Sequence, residues 1–513
     1  EGGDLSGHIP WELHIARFTA PLVPLSALIM TMLQIFREQL GRLKISMMRN
    51  HVVIIGFGTK GKNIMEDLLR KKKKILVIES DHNNPELGFI QHSKGRLRLG
   101  NATDKTVLKK ANITHAEMVY LLTGNDNTQI KACLEIYQLI KDSNRTKEDP
   151  LNCIMHLQKQ EFMNTLKSHN LVQNIEDAFA LRIFNVYESS ARDLFEENPP
   201  DGIGIPANSN TVVQVLIFGF GLAGEALALQ TALTGHYANG KKPKVLIIDR
   251  LAEEKVHDFL GRYPTFNDYC ELKYITSEAD SPQLINHVMP YTGIPDTLTT
   301  IVFCFDNKTQ NLLLGLQLDS ISFEERVNIF VRTGDDVAFT TFSQNVKPYG
   351  LSSKVCSQES IYGGFLDKKA IAFHNNYLDK RRKEDDFGKK DADVSWEELS
   401  QEFKDSNKKA ADHIGVKMRA IGCEIVNAAD PRPEAIITSE ELLLLSKLEH
   451  LRWNAERSLA GWTYSKTRND KARKTPDLTE WENLTKEIQK YDIDAVKGIS
   501  DVLAKVGQKA VRL

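Results

Sequence analysis

Short apolar runs alternate with helix-period stretches along most of the chain. HVVII (His51 to Ile55), ILVIE ending at Glu79, Val212 to Phe218 and VLIID ending at Asp249 are rich in β-branched residues and lack a polar alternation. Runs of this kind predict strands buried on both faces. With helical patterns between them, the expected unit is strand, turn, helix, strand, and the expected fold class is α/β with parallel, doubly wound sheets. The period changes after about Gly350. From Trp396 to Gly422 it is helical, and Thr438 then opens a capping box with Glu441, ahead of a long helix ending near Gly461, a natural C′ residue. A small, mainly helical domain is expected there.

Phe18 to Phe36 carries no charge over 19 residues. As a helix it reaches about 28 Å, close to the ~30 Å of a bilayer core. Arg37, Arg42, Lys44 and Arg49 follow it against Glu38 alone, while Glu1, Asp4 and Glu12 outnumber Arg17 before it. The positive-inside rule then places the residues after Phe36 in the cytoplasm, on the inner face of the cell membrane. A buried soluble helix and a signal peptide are the competing readings, the latter without a clear cleavage site and with the basic cluster on the wrong side, and Pro21 and Pro24 weigh slightly against a span. The pattern divides the chain into 1–50, a transmembrane helix and basic linker; 51–200, a first α/β unit; 201–355, a second; and 356–513, a linker and helical domain. EENPPDGIGIPANSN (Glu196 to Asn210) is expected as the linker between the α/β units, and the charged run Asp379 to Asp393 as a solvated loop.

The turn after the first run is Gly56-Phe-Gly58-Thr59-Lys60-Gly61. Gly56 suits a tight turn, Gly58 lets backbone approach a pyrophosphate, and Gly61 lets helix pack on strand. Glu79, 23 positions after Gly56, stands where an acid accepts hydrogen bonds from a ribose diol. A Rossmann-like unit is the expectation. The pattern returns as Gly219-Phe-Gly221-Leu-Ala-Gly224, with Asp249 30 positions after Gly219. Downstream, VYLLTGNDN (Val119 to Asn127) parallels IVFCFDN (Ile301 to Asn307), and NCIMHL parallels NIFVRT, the mark of a duplication.

Other chemistries fit these loops less well. Gly56-x4-Gly61-Lys62 approaches a nucleoside-triphosphatase loop, but Asn63 replaces the hydroxyl that would ligate magnesium. Tyr137 and Lys141 are spaced like a dehydrogenase pair, yet also like an ordinary i,i+4 pair on a helix surface. A membrane-tethered NAD-dependent oxidoreductase is the alternative this pair keeps open.

Composition narrows the partners. Hydrophobic residues at 41% and charged residues at 26% are ordinary for a folded, largely soluble chain of 513 residues. A net charge of -2 gives no single-sign field for a nucleic-acid polymer, so any anion site is local. Six scattered cysteines without a CxxC pair read as reduced core thiols. Beyond the long helix, Trp462 and Tyr464 precede Lys466, Arg468, Lys471, Arg473 and Lys474, with Asp470 the single acid among them. Aromatic faces beside dense positive charge suit a nucleotide, with bases stacking and phosphates pairing. Residue spacing alone leaves this open against a small helical core filled by Trp453 and Trp462 and capped by a solvated loop.

The first unit resembles the regulator-of-potassium-conductance, or Trk-type, domain of potassium-transport regulators. The likeness rests on the glycines, on Gly100-Asn101-Ala102-Thr103 where that family has Gly-Asp-Ala-Thr, and on Thr123-Gly124-Asn125-Asp126-Asn127. The second unit is similar but more diverged. The resemblance implies NAD or an adenine nucleotide at Gly56, Gly58, Thr59, Lys60, Gly61, Glu79, Asn101 and Ala102, and at Gly219, Gly221, Gly224 and Asp249. It further implies movement of paired domains that pulls on membrane helices, without hydride transfer, in a homo-oligomer, dimer or tetramer. No TVGYG-like filter occurs, so potassium would pass through a pore lying upstream of Glu1, and the absence of an initial Met is the pattern of a fragment.

The string EHLRWNAERSLAGWTY, with Lys474-Thr-Pro476-Asp-Leu478 and Trp481 beyond it, resembles the repeat named after ryanodine receptors, matching at His450, Trp453, Gly461, Trp462, Tyr464, Pro476 and Leu478. Bacterial repeats of this kind are associated with sensing cyclic dinucleotides, in some cases within anti-phage signalling. The resemblance implies stacking by Trp462 and Tyr464, with Trp453 beside them, and phosphate contacts from Arg457 and Lys474. The expected function is the regulatory part of a ligand-gated bacterial potassium channel or transporter.

Overall fold

The computed structural model describes residues 11–20, 22–146, 148–159, 162, 178–278, 284–321, 327–334, 345–361 and 367–513. Expectations about Glu1, Asp4 and Pro21 lie outside these residues.

Two six-stranded parallel sheets form the body of the molecule. The first contains β1 (His51–Ile55), β2 (Ile75–Glu79), β3 (Arg96–Leu99), β4 (Ala116–Leu121), β5 (Leu151–His156) and β6 (Phe179–Phe184), in the order 3-2-1-4-5-6. The second contains β7 (Val212–Phe218), β8 (Lys244–Asp249), β9 (Glu271–Thr276), β10 (Thr297–Phe303), β11 (Val327–Arg332) and β12 (Val346–Tyr349), in the same order counted from β7. This is the doubly wound order, in which the crevice between the first and fourth strands opens at their carboxyl ends. Every residue of β1 and β2 is buried, as the continuous apolar runs require of strands covered on both faces. The echoed strings occupy equivalent strands, β4 with β10 and β5 with β11, and Asn125 and Asn307 each cap the following helix through Thr128 N and Gln310 N.

Leu22–Ser46 is one helix, so the basic connector continues the apolar segment without a break. Among the described residues, Ile15–Leu33 is the stretch long and apolar enough to cross a membrane, and its described side chains are exposed. Its far end behaves differently. Ile45 and Met48 are buried in the cluster that also holds Leu108, Ile113 and Ala102 of the first unit. Asn112 Nδ2 donates to Met48 O at 2.6 Å, and Asn50 N to His115 O at 3.0 Å. The long helix is thereby fastened to the first sheet rather than strung from it.

The expected linker and the expected solvated loop are mostly exposed, but each carries buried charges that tie it to its surroundings. Asp201, in the expected linker, is 1% exposed and takes two hydrogen bonds of 2.8 Å from Arg419 of the C-terminal region. Gly204 lies so close to Arg419 O that a side chain there has no room. In the charged run, Arg381 and Asp393 are buried and paired at 2.9 Å, with Asp386 as a further partner at 2.7 Å. Pairing offsets the desolvation of both charges, and that pairing is invisible in a charge count.

The C-terminal region docks on the second unit. Arg192, on the connector helix Val186–Glu197, holds Asp412 through bonds of 2.8 and 2.9 Å and Asp367 at 2.9 Å. Tyr269 OH reaches Ser458 Oγ at 2.8 Å, and the His413 ring contacts His236 O at 3.2 Å. Inside the region, the helix Ser439–Leu459 has the expected capping box, Glu441 N donating to Thr438 Oγ1 and Thr438 N to Glu441 Oε2. At its end Gly461 is left-handed (φ +81°), with Gly461 N bonded to Ser458 O and Trp462 N to Arg457 O, the paired bonds of a Schellman stop. Glu449, Arg452 and Glu456 lie buried along this helix, with Arg452 bonded to both acids and Lys417 to Glu449. These charged residues in the second half of the helix are therefore an internal ion network. Strands Cys423–Asn427 and Gln508–Arg512 pair antiparallel beside it.

Candidate functional site

The first cleft opens where β1 ends. Gly56 has φ +86°, and a Cβ on it would stand 2.8 Å from Thr123 N, so the turn and the close approach of β4's end both require glycine. On Gly61 a Cβ would meet Gly56 O at 2.8 Å, which fixes the helix Thr59–Arg70 against its strand. Gly58 differs: a Cβ on it would touch nothing within 4 Å. The space beside it is left open by the protein itself. Gly58 is also the N-cap of that helix and supplies no side-chain cap, so the first-turn N–H groups face the opening as an anion site requires.

The cleft measures about 490 Å³ and is lined by Gly56, Gly58, Thr59, Lys60, Glu79, Asn101 and Ala102. Gly61 supports it from behind. Thr123, Gly124, Asn125 and Thr128 complete the wall. The first three belong to the TGNDN string, whose place across from the glycine turn appears only once β1 and β4 are neighbours. Glu79 is 8% exposed and clasps the turn: Oε2 accepts Phe57 N at 2.7 Å and Asn84 Nδ2 at 3.1 Å, while Oε1 accepts Ser80 N at 2.7 Å and Asp81 N at 3.0 Å. Burial pushes its carboxyl up, but these donors together hold it below its ordinary value. A ribose diol at Glu79 would share a carboxylate already occupied by these donors and by the Ser80 hydroxyl at 3.4 Å. Asn101 Oδ1 turns to Thr103 N and Oγ1, both at 2.9 Å. Burial lowers Lys60, Cys356 opposes this and Arg332 adds to it, so the ammonium meets the cleft without full compensation.

The second cleft repeats the clasp and differs at its mouth. Gly219 N bonds Ile248 O as Gly56 N bonds Ile78 O, and Phe220 N donates to Asp249 Oδ2 at 2.8 Å. Here Lys255 Nζ also reaches Asp249 Oδ2, at 2.7 Å, and Leu251 N reaches Oδ1 at 2.9 Å. Burial raises the Asp249 carboxyl and these donors bring it below its ordinary value, Lys255 first among them. Phe305 takes the place of Thr123: a Cβ on Gly219 (φ +91°) would stand 2.8 Å from its ring. Gly224 abuts Gly219 O as Gly61 abuts Gly56 O, and a Cβ on Gly221, like one on Gly58, would touch nothing within 4 Å.

The C-terminal aromatic residues form a stack around an arginine. Arg457 lies 5.6 Å from the Trp453 ring and 5.0 Å from the Trp462 ring, and its Nη1 pairs with Glu402 at 2.8 Å. Trp462 is buried, so its faces serve packing and the arginine. His450 stacks on Trp453 and is held by Thr479 O at 2.8 Å and Asp492 at 3.2 Å. Tyr464 and Lys474 are exposed, on paired short strands at the root of the basic loop. In that loop Arg468 pairs with Asp470 and Arg473 donates to Ala460 O at 2.8 Å. The structure thus places Tyr464 and Lys474 on the surface and Trp453, Arg457 and Trp462 in one stack. Tyr137 packs edge-on against Phe179 at 5.5 Å and is not among the cleft-lining residues.

Residues 52–172 match the TrkA-N domain, and residues 440–511 the RyR domain. An uncharacterised protein of Methanothermus fervidus is 29% identical over 96 residues, 19% of this chain and 15% of that protein. The Trk system potassium uptake protein TrkA homolog of Pyrococcus abyssi is 30% identical over 84 residues, 16% of this chain and 37% of that protein. The chain therefore spans well under half the length of these relatives. Among solved structures, GsuK bound to ADP superposes with a TM-score of 0.42 at 16% identity, covering 61% of this chain and 68% of that one. The GsuK channel bound to NAD gives 0.42 at 13% identity, covering 78% and 71%. The chain is thus similar to the TrkA-N domain across its first unit and to the RyR domain near its C-terminus.

Proposed function

We propose that this chain is the cytoplasmic regulatory region of a ligand-gated bacterial potassium channel or transporter, anchored in the inner membrane by its N-terminal helix and assembled as a homo-oligomer. The first cleft holds NAD or an adenine nucleotide, and the C-terminal region senses a cyclic dinucleotide. One observation carries the reading. The glycine loop leaves open space beside Gly58 in a 490 Å³ cleft, and cleft-lining Ala102 shares its hydrophobic cluster with Ile45 and Met48 at the end of the long helix. A ligand that favours one arrangement of the cleft acts on the helix through contiguous packing, by its differential affinity for two states. The match to the TrkA-N domain and the potassium-uptake relative support the direction of this reading. The role is binding without chemistry: the cleft offers glycine amides and a committed carboxylate, and Tyr137 lies elsewhere.

On the C-terminal region, Tyr464 offers the exposed ring and Lys474 the exposed cation, while Arg457 reaches a phosphate by leaving Glu402. Isothermal titration with NAD, NADH and ADP, and separately with cyclic di-AMP, cyclic di-GMP and cyclic GMP-AMP, tests both halves. Binding of a nucleotide that Gly58→Val removes supports the first. Failure of every cyclic dinucleotide to bind, with Tyr464→Ala and Lys474→Ala silent, rejects the second and leaves the first standing.

A further inference from the structure

The amino ends of the strands in a parallel sheet lie along one edge, opposite the edge where the glycine clefts open. In the first sheet the segments leading into β1 to β4 are 47–50, 71–74, 93–95 and 109–115. They carry Arg49, the run Lys71 to Lys74, Lys94, Lys109 and Lys110, and no acid. All of these but Lys73 are exposed. Lys73 pairs with Glu117 at 2.7 Å, and the others make no ion pair among the described residues. The acids nearest this edge are engaged elsewhere. Asp67 takes Arg70 at 3.3 Å and Gln358 N at 3.1 Å, and Asp104 caps its own helix through Thr106 N at 2.7 Å, with Lys110 acting on it from a distance. Acids gather at the approach to β5, where Asp142 takes Lys105 at 3.4 Å and Asp149 takes Arg145 at 3.4 Å, with Glu148 beside them. The basic face therefore covers the β3, β2, β1 and β4 side of the edge. Lys72 stands in the left-handed region (φ +57°) where the helix Thr59–Arg70 stops, a place that favours glycine, so the chain sets a lysine there against the backbone's preference. The matching edge of the second sheet differs. Lys241 and Lys242, before β8, are bonded to Asn210 O and Asn267 O, and Asp268 and Asp296 precede β9 and β10.

The same edge receives the long helix. Its last turn is fixed there by Ile45, Met48 and the bonds of Asn112 and Asn50, while Leu40 and Leu43, just upstream, are 51% and 53% exposed. The helix therefore leaves the first unit at its basic edge. From Phe36, the end of the uncharged stretch, to Ser46 the helix rises about 15 Å. The headgroup layer takes about 5–7 Å of this and leaves about 8–10 Å, close to the ~8 Å Debye length at physiological salt and narrowed by the length of a lysine side chain. At that separation an anionic leaflet attracts basic groups. We propose that the amino-end edge of the first sheet, centred on Lys71 to Lys74 and Lys94, docks on the anionic phospholipid headgroups of the leaflet from which the N-terminal helix emerges. The inference rests on that helix spanning the membrane. It also orients the unit: the basic edge faces the bilayer, and the glycine cleft, at the other ends of the same strands, faces away from it toward soluble nucleotide.

The test uses the full chain in lipid nanodiscs of phosphatidylcholine alone or of equal parts phosphatidylcholine and phosphatidylglycerol, with lysine acylation read residue by residue by mass spectrometry. Acylation of Lys71, Lys72, Lys74 and Lys94 is expected to slow at least about threefold in the anionic discs at low salt and to recover at high salt. Lys466 and Lys471, exposed on the C-terminal loop, are the internal controls and should not change. Lys71→Gln, Lys72→Gln and Lys74→Gln combined, three exposed positions whose exchange should leave the melting temperature unaltered, are expected to abolish the slowing at Lys94. Co-elution with the neutral discs reports the spanning helix separately. A chain that co-elutes but shows no lipid-dependent slowing, or slows equally at the controls, overturns the proposal and leaves the anchor standing. A chain that does not co-elute removes the anchor and the proposal with it. Slowing by a short RNA duplex without any by the anionic discs assigns the edge to a nucleic-acid polymer and likewise overturns it.

Discussion

The two sheets share strand order, glycine turn and acid clasp, yet they differ at their strand ends and in what packs against them. The first meets its cleft with Thr123, Gly124 and Asn125 and carries the end of the long helix on Ile45 and Met48. The second sets Phe305 against its glycine turn, ties Asp249 to Lys255 and carries the C-terminal region through Tyr269, His236 and the linker residue Asp201. A duplicated frame has kept what folds it, the glycines against their strands. What differs is at the strand ends and on the outer helices, where substitutions change ligands and neighbours without disturbing the sheet.

The strongest way to break the contrast is to release the C-terminal region. Arg192→Met leaves the partly buried Asp412 and Asp367 without their guanidinium, Asp367 keeping Lys408, an expected loss of up to about 3 kcal/mol. It should appear as a lower melting temperature and as new proteolytic sites between 367 and 412, with NAD affinity at the first cleft retained. Next in size is the pair Gly58→Val and Gly221→Val. Neither new side chain meets protein atoms within 4 Å, so both variants should fold. Gly58→Val is expected to cost about 100-fold or more in NAD affinity by titration, near 2.7 kcal/mol, and Gly221→Val to leave that affinity unchanged. Equal losses would make the clefts equivalent. The double change Phe305→Thr with Lys255→Gln sharpens the same point and should add a second, weaker NAD equivalent.

Smaller effects follow at the clasps and at the helix. The Glu79 carboxyl is held below its ordinary 4.5 in the folded protein. Its contribution is therefore complete above about pH 4.5 and lost as pH falls through the lower folded value. Glu79→Gln should flatten that acid limb and cost about 1–3 kcal/mol at neutral pH, read from thermal unfolding across pH 3 to 7. The smallest expected change is Asn112→Gly, which keeps the left-handed backbone (φ +51°) but removes the bond to Met48 O. About 1 kcal/mol should be lost, with faster amide exchange confined to the end of the long helix.

Much of this was legible before any coordinates. Continuous β-branched runs, glycine turns and the Thr438 to Glu441 capping box are instructions of short range. Strand burial, helix start and the Gly461 stop depend on residues within one or two turns of each other, so the sequence by itself determined the α/β class, the two related sheets and the long C-terminal helix. The glycine turns likewise marked the first cleft. The choice of partner among charges and rings far apart in the chain was decided only by the tertiary structure. Arg419 finds Asp201, Arg192 finds Asp412 and Glu402 finds Arg457, and neither period nor composition encodes such pairings. Phe305 and Thr123 look alike as strand-end residues until Gly219 and Gly56 are brought beneath them. Local propensity names the elements, whereas the desolvated pairing of distant side chains, settled only when the elements pack, decides which cleft is open and which residue is free to act.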